Sequence, residues 1–372
     1  MITCDYLPEN PGHRYADESY NVSTTDEAAV LELARRCRVD GVLAFASDPA
    51  APTAASVAAE LNLPGAPPEA VRLLCNKPAF RAFLWAHGFK APRFAAPATL
   101  DEVLAAAEML GFPIMVKPCD SSGSKGVSRV EKRSEVEPAY RNACRYSRSG
   151  TIVMEQWLAR QGRQIAGDGL VVDGKLVFGG FGDEHFDAEC CPHAPVGESF
   201  PGHLAPEDRA RLMGELQRLF TALGIRNLVF NLDAMIDAAG DVVIIEIGPR
   251  AGGNCLPDVI RAHTSVDLAD IAVRLALGEE VHPSDYTARH SGFHASWMIH
   301  SRREGNLTGY SVDSSLTPYI RELEFLAKPG TPVRKFSSSA ETLGYAVLEF
   351  PSMQEMQREL TRMPDSLQPV VA

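Results

Sequence analysis

Residues 226–250, RNLVFNLDAMIDAAGDVVIIEIGPR, decide how the rest of the chain is read. Two strand-like runs flank a polar turn, the pattern of a β-hairpin. A two-residue turn at Ala239-Gly240 pairs Asn231 with Gly248, Asp233 with Glu246, Met235 with Ile244 and Asp237 with Val242. Leu232, Ala234, Ile236, Val243, Ile245 and Ile247 then form the core face. Asp233 and Glu246 share the other face, with Cβ atoms about 5 Å apart. Two opposed carboxylates repel unless a proton or a cation comes between them. A hard divalent cation such as Mg²⁺ satisfies both and keeps positions for phosphate oxygens. The competing reading is a pair of solvated surface acids in a hairpin slipped by one residue.

Pro249-Arg250-Ala251-Gly252-Gly253-Asn254 follows directly. Arg250 suits a phosphate or a carboxylate, and the pair Gly252 and Gly253 lets backbone approach a substrate closely. Upstream, DSSGSKGV (120–127) joins two predicted strands. The glycines Gly123 and Gly126 let N–H groups point into one concavity. Ser121, Ser122, Ser124 and Lys125 add donors, which suits a polyphosphate. GxxxxGK[ST] is absent, and a plain Ser/Gly-rich hairpin loop is the competing reading. Lys117 ends the apolar strand that feeds this loop and needs an anionic partner. Only eight of the 36 cationic residues are lysines, yet Lys77, Lys117 and Lys125 all fall in these segments.

The rest of the chain fits an α/β protein. At 372 residues it should form two or three domains, and 45% hydrophobic with 23% charged residues excludes disorder and coiled coil. A net charge of −12 argues against nucleic acid or an anionic membrane as partner. No apolar run reaches the ~20 residues of a membrane span. Asp5 and Glu9 disfavour a signal peptide, so the eight cysteines are expected as reduced thiols in a cytoplasmic protein. Helices are predicted at 26–39, 51–63, 77–87, 100–110, 135–146, 206–223, 256–263 and 267–277, with a last one from Ser352. Strands are predicted at 41–47, within FPIMVKP, VSRV and TIVMEQWL, and in a hairpin turning at Asp173-Gly174. Residues 182–203 show no period and are expected as an irregular loop. From His290 onward, short runs suggest a small antiparallel subdomain. A zinc site of His185, Cys190, Cys191 and His193 has no diagnostic spacing. His290, His294 and His300 read as structural. No GxSxG or paired CxxC is present.

Four stretches resemble, in order and spacing, the ATP-grasp superfamily, in particular its carboxylate–amine ligases with a biotin-carboxylase-like N-terminal domain. They are NKPAFRAFLWAHGFKAP, FPIMVKPCDSSGSKGVSRV, IVMEQWLARQGRQIAGDGLVVDGK and DAMIDAAGDVVIIEIGPRAGG, covering most of 76–280. The resemblance implies an N-terminal open parallel-sheet domain (1–75), an ATP-grasp unit (76–280, lid about 112–153) and a C-terminal antiparallel part (281–372) completing the substrate site. Lys77 and Lys117 then hold the α- and β-phosphates, and the loop from Ser121 to Gly126 closes over the triphosphate. The backbone of Glu155, Gln156, Trp157 and Leu158 reads adenine. Gln164 replaces the usual ribose-binding glutamate. Asp233 and Glu246 are the metal ligands for Mg²⁺, with Mn²⁺ as alternative, and Arg250 lies near the transferred phosphate with Lys117 and Lys125. Two positions depart from the family. Gly248 stands where an asparagine ligand is usual, and Asn231 opposite it is expected to replace that ligand. The chain also opens at what reads as the second strand of its N-terminal domain, so that a start upstream of Met1, a partner chain or a rearranged sheet must cover the gap.

The function implied is ATP-dependent amide formation from small-molecule carboxylate and amine substrates, through an acyl phosphate, by a monomer or homodimer. One rival is a bicarbonate-activating enzyme of the carboxylase or carbamoyl-phosphate type. The other is a nucleotide-binding regulator without turnover.

Overall fold

A computed structural model describes all 372 residues. Residues 1–25, where the sequence shows no period, hold two parallel strands, β1 (Ile2–Asp5) and β2 (Glu18–Asn21), joined through one 3-10 turn. These two strands form a sheet of their own. Helix α1 (Glu27–Cys37) starts where Asp26 accepts the Ala29 N–H at 3.0 Å. The strand predicted at 41–47 does not form. Leu43 and Phe45 stay 44% and 42% exposed, and an apolar run makes a central parallel strand only when both its faces are covered. Helices α2 (Ala51–Glu60), α3 (Pro68–Leu74) and α4 (Lys77–Ala86) follow, α4 capped by Asn76.

The next unit is a four-stranded antiparallel sheet with two helices packed on it. Its elements are β3 (Phe94–Ala95), α5 (Leu100–Leu110), β4 (Ile114–Pro118), β5 (Ser128–Val130), α6 (Val136–Tyr146) and β6 (Ile152–Gln156), in strand order β3-β6-β4-β5. Thr99 and Glu102 form the capping box that starts α5. Val103, Leu110, Ile114, Val136 and Met154 make its core.

The remaining chain builds one large sheet and one small one. It contains β7 (Arg160–Val172), β8 (Lys175–Asp187), β9 (Cys191–Phe200), α7 (Pro206–Ala222), β10 (Leu228–Asp237), β11 (Val242–Gly248), α8 (Leu256–Thr264), α9 (Leu268–Leu277), α10 (Pro283–Tyr286), β12 (Phe293–Ile299), β13 (Gly305–Val312), β14 (Ile320–Phe325), β15 (Pro332–Val333), β16 (Gly344–Phe350), α11 (Met353–Ser366) and β17 (Leu367–Val371). Eight strands run in the order β11-β10-β7-β8-β9-β12-β16-β14. The C-terminal strands thus divide: β12, β16 and β14 extend the large sheet, while only β15, β13 and β17 form a sheet of their own. Residues 182–203 are mostly strand, correcting the irregular loop expected there. Register shifts at His185/Phe186 and Phe186/Asp187 break the two-residue alternation, which hides these strands from a periodicity reading. Helix α7 covers one face of the sheet through Leu212, Leu216, Leu219 and Phe220. Helices α8 and α9 cover part of the opposite face, and the site occupies the rest of it.

The β10–β11 hairpin pairs Asn231 with Gly248, Leu232 with Ile247 and Asp233 with Glu246, as the sequence predicts. Nearer the turn it differs, pairing Ala234 with Ile244, Met235 with Val243 and Ile236 with Val242. The turn is not two residues long. Asp237 Oδ1 accepts the N–H groups of Ala239 and Asp241, both at 2.9 Å, and so closes a longer loop. That displaces the register by one residue, and a bulge at Ile245 displaces it back before Glu246. Two offsets cancel. The bulge also exchanges faces: Ile244 enters the core, whereas Val243 and Ile245 line the site.

Candidate functional site

A cavity of about 410 Å³ lies between the four-stranded sheet and the large sheet, and all but two of the site residues expected from the sequence line it. The exceptions are Gly126 and Gly252. At its centre Asp233 and Glu246 oppose each other. Burial first, and the Glu246 charge second, push Asp233 up to about 7. Lys77, the first residue of α4, reaches this pair from the side. Its Nζ is 3.4 Å from Glu246 and donates to the Ser121 carbonyl at 2.9 Å. Burial alone would lower Lys77, but Glu246 and then Asp48 raise it, so its charge is held. One lysine against two carboxylates leaves negative charge over. The oxygen-only pair therefore fits a hard divalent cation, with Asp233 and Glu246 as its protein ligands.

Lys117 projects from β4 and donates to Glu155 Oε2 at 2.7 Å. The sequence reading gave Glu155 only a backbone role, but its side chain is a buried anchor. Arg81 on α4 ion-pairs with its other oxygen at 2.8 Å. Burial opposes ionisation there, yet Arg81 and Lys117 together hold Glu155 down at about 2. Arg81 itself is 2% exposed and donates from Nη2 to the carbonyl of Ile245, the bulge residue, at 2.6 Å. Along the same edge, the N–H groups of Gln156 and Trp157 are taken by the carbonyls of Arg93 and Pro113. No backbone bond engages the N–H of Leu158.

The loop 120–126 is docked and not free. Ser124 Oγ donates to the His193 carbonyl at 3.1 Å, and the Gly123 carbonyl accepts the Ser339 N–H at 3.0 Å. Lys125 lines the cavity without a protein partner. Asn231 lies on the carboxylate face opposite Gly248. Its Nδ2 donates to Asp168 Oδ1 at 3.1 Å and to the Gly167 carbonyl, and its Oδ1 accepts no protein donor. Arg250 is 11% exposed, pairs with Asp48 through Nη2 and donates to the Ala251 carbonyl through Nη1. Its guanidinium passes over Gly248: a Cβ there would lie 2.8 Å from Arg250 Cζ. The room an asparagine would need is filled by Arg250.

Five contributors escaped the sequence reading: Asp48, Arg81, Asp168, Glu184 and Glu198. Asp168 is fully buried, accepts the Gly252 N–H at 2.9 Å on both oxygens, and is raised by burial to about 6. A lone acid inside the apolar run IAGDGLVV was its only signal. Gln164 donates to Glu184 Oε2. His185 bonds Arg163 and Ser199, and the Sγ atoms of Cys190 and Cys191 face backbone carbonyls of 301 and 336–337.

The chain is similar to several known proteins. Residues 91–254 match the family described as D-ala D-ala ligase C-terminus. The uncharacterized protein y4rH of Sinorhizobium fredii is 26% identical over 85% of this chain and 65% of its own length. The carbamoyl phosphate synthase large chain of Vibrio parahaemolyticus is 23% identical over 77% of this chain but only 26% of its own. The chain thus spans less than two thirds of either relative. The crystal structure of an L-amino acid ligase from Bacillus licheniformis superposes with a TM-score of 0.81 at 22% identity, over 96% of this chain and 88% of that one.

Proposed function

We propose, from the geometry of the site and the chain's similarity to ligases of ATP-grasp fold, that it is an ATP-dependent ligase joining the carboxylate of one small molecule to the amine of another. The observation that carries this reading is the meeting of Asp233, Glu246, Lys77, Lys117 and Arg250 in one cavity under a Ser/Gly loop. Phosphoryl transfer asks for positioning and charge neutralisation more than covalent help. Lys77 and Lys117 supply fixed cations for the phosphate chain, Lys77 held by the half-buried Glu246 and Lys117 by the buried Glu155. Arg250, held by Asp48, faces the reacting end and receives charge developing on the transferred group. Mg²⁺, held between Asp233 and Glu246, would supply Lewis-acid neutralisation of the phosphate oxygens. Asn231, locked by Asp168 with its carbonyl oxygen free, is offered as the third oxygen donor or as a phosphate-orienting group.

ATP then converts the carboxylate to an acyl phosphate, releasing ADP. The amine displaces phosphate to leave an amide. ADP release measured against a panel of amino acids, with and without bicarbonate, tests the proposal. Turnover that needs both an acid and an amine supports it. Turnover with bicarbonate and no carboxylic acid would transfer the protein to the bicarbonate-activating class, and no turnover with any acid would leave a nucleotide-binding regulator.

A further inference from the structure

Four adjacent strands carry one row of side chains across the cavity wall: Gln164 on β7, Glu184 on β8, Glu198 on β9 and Ser296 on β12. Glu184 and Glu198 are each 4% exposed, and neither takes part in any ion pair with lysine or arginine. Each is hydrogen-bonded by neutral groups alone. Gln164 donates to Glu184 Oε2, and Ser296 Oγ donates to Glu198 Oε2 at 2.7 Å. Asn254 is a further neutral partner of Glu198, and both carboxylates line the cavity. A buried carboxylate without a cation is costly, and natural proteins keep one where a ligand completes it.

The cations of the cavity do not complete it. Lys77, Lys117 and Arg250 are committed to Glu246, Glu155 and Asp48, Arg160 on the same lining acts on Glu184, and Lys125 ion-pairs with neither acid. The site therefore has a cationic wall and an anionic wall. Glu184 belongs with Gln164, at the end assigned to nucleotide. Glu198 lies beyond it, with Asn254 of the segment after Arg250 also on the lining. An anion entering here would meet uncompensated carboxylate, whereas an ammonium group would supply the missing charge.

We propose that Glu198 receives the ammonium group of the amine substrate and takes one of its protons, so that the enzyme selects amines that are protonated at neutral pH. This rests on the ligase reading above. One N–H proton moves to Glu198, and the freed nitrogen lone pair bonds to the acyl carbon. The carbon–oxygen bond to phosphate breaks with its electron pair, and phosphate leaves carrying a second proton from nitrogen. Amide, hydrogen phosphate and protonated Glu198 balance acyl phosphate, ammonium and carboxylate. Burial, partly offset by the Ser296 and Asn254 hydrogen bonds, lifts Glu198 to about 7, with Asp233 and Asp168 adding to it and Glu184 opposite on β8. That value suits a proton acceptor working near neutrality.

Hydroxylamine, uncharged near pH 7, separates the steps because it traps acyl phosphate without presenting an ammonium group. The full-length enzyme, ATP, Mg²⁺ and an amino-acid panel as carboxylates would be assayed with hydroxylamine, and in parallel with L-alanine, L-lysine and ethylenediamine as amines. Wild type should use both kinds of nucleophile. Glu198→Gln should lower kcat/KM for the ammonium amines at least about 30-fold more than it lowers hydroxamate formation, the loss expected when one partner of a buried charge pair is removed. Equal loss of both activities, unchanged use of the ammonium amines, or a wild type that uses hydroxylamine but none of the three amines each overturns the proposal. Absence of hydroxamate from the wild type sinks the ligase reading itself, and this assignment with it.

Discussion

Replacing Gly248 with alanine tests the geometry around Arg250 most directly. A β-carbon built there lies 2.8 Å from Arg250 Cζ and 3.0 Å from both terminal nitrogens. Carbon atoms rest comfortably only from about 3.5–4.0 Å, so the guanidinium must retreat by roughly 1 Å. It has little freedom to do so, because Asp48 and the Ala251 carbonyl hold its two ends and the side chain is 11% exposed. A misplacement of about 1 Å at a reacting group can cost about 100-fold in rate. The expected result for Gly248→Ala is a kcat for ADP formation lower by about that factor. KM for ATP should change little, since Lys77, Lys117 and the loop are untouched. Gly248 lies in extended strand, so the melting temperature should fall only slightly. Gly248→Asn, which on the family pattern restores a metal-binding amide, is expected to lose activity in the same way. Steady-state ADP release and a thermal melt decide it. Near-wild-type kcat in either variant refutes the idea that Arg250 occupies the asparagine's place.

Four further outcomes follow from the site. Asp233→Asn or Glu246→Gln should abolish ADP formation. Asp233, about 7 when folded against an ordinary value near 3.9, favours the folded state fully below about pH 4 and loses that contribution as pH rises through 7. Mg²⁺ needs both carboxylates ionised, so it should raise the melting temperature near pH 8 and not near pH 5; equal shifts at both would contradict the assignment. Arg81→Met leaves Glu155 buried with one partner and should cost about 3–5 kcal/mol in urea unfolding; a cost under about 1 kcal/mol would show that Glu155 does not depend on it. Gly123 has φ +65°, and a Cβ there would meet Ser339 Oγ at 2.1 Å. Gly123→Ala should raise KM for ATP about 5–30-fold, from the ~1–2 kcal/mol of left-handed strain, with kcat retained; an unchanged KM would mean that the docked loop does not serve the nucleotide.

What could be read from sequence was what chain-local spacing encodes. Hairpin alternation disclosed the Asp233–Glu246 pair, and cap residues such as Asp26 and Thr99 set helix starts correctly. Asp48 and Arg81 were out of reach, because their partners Arg250 and Ile245 lie 202 and 164 residues away. Glu184 and Glu198 were hidden by two register shifts in β8–β9, which scrambled the alternation that would have shown them on one face. The apolar run 41–47 misled in the opposite sense: its composition suits a covered strand, and its surroundings do not cover it.

The bulge at Ile245 gives the hairpin a choice between register isomers. A short turn with an unbroken ladder, and the observed long turn with a bulge, place Asp233 opposite Glu246 equally well. They differ in which isoleucine, Ile244 or Ile245, faces the cavity. Arg81 discriminates between them, since its guanidinium grips the Ile245 carbonyl while its other edge holds Glu155 on β6. The Asp233–Glu246 pair is thereby insulated from changes in turn length, whereas the apolar lining beside it is not. Drift in the 238–241 turn among relatives would retune the floor of the cavity and leave the carboxylates where they stand.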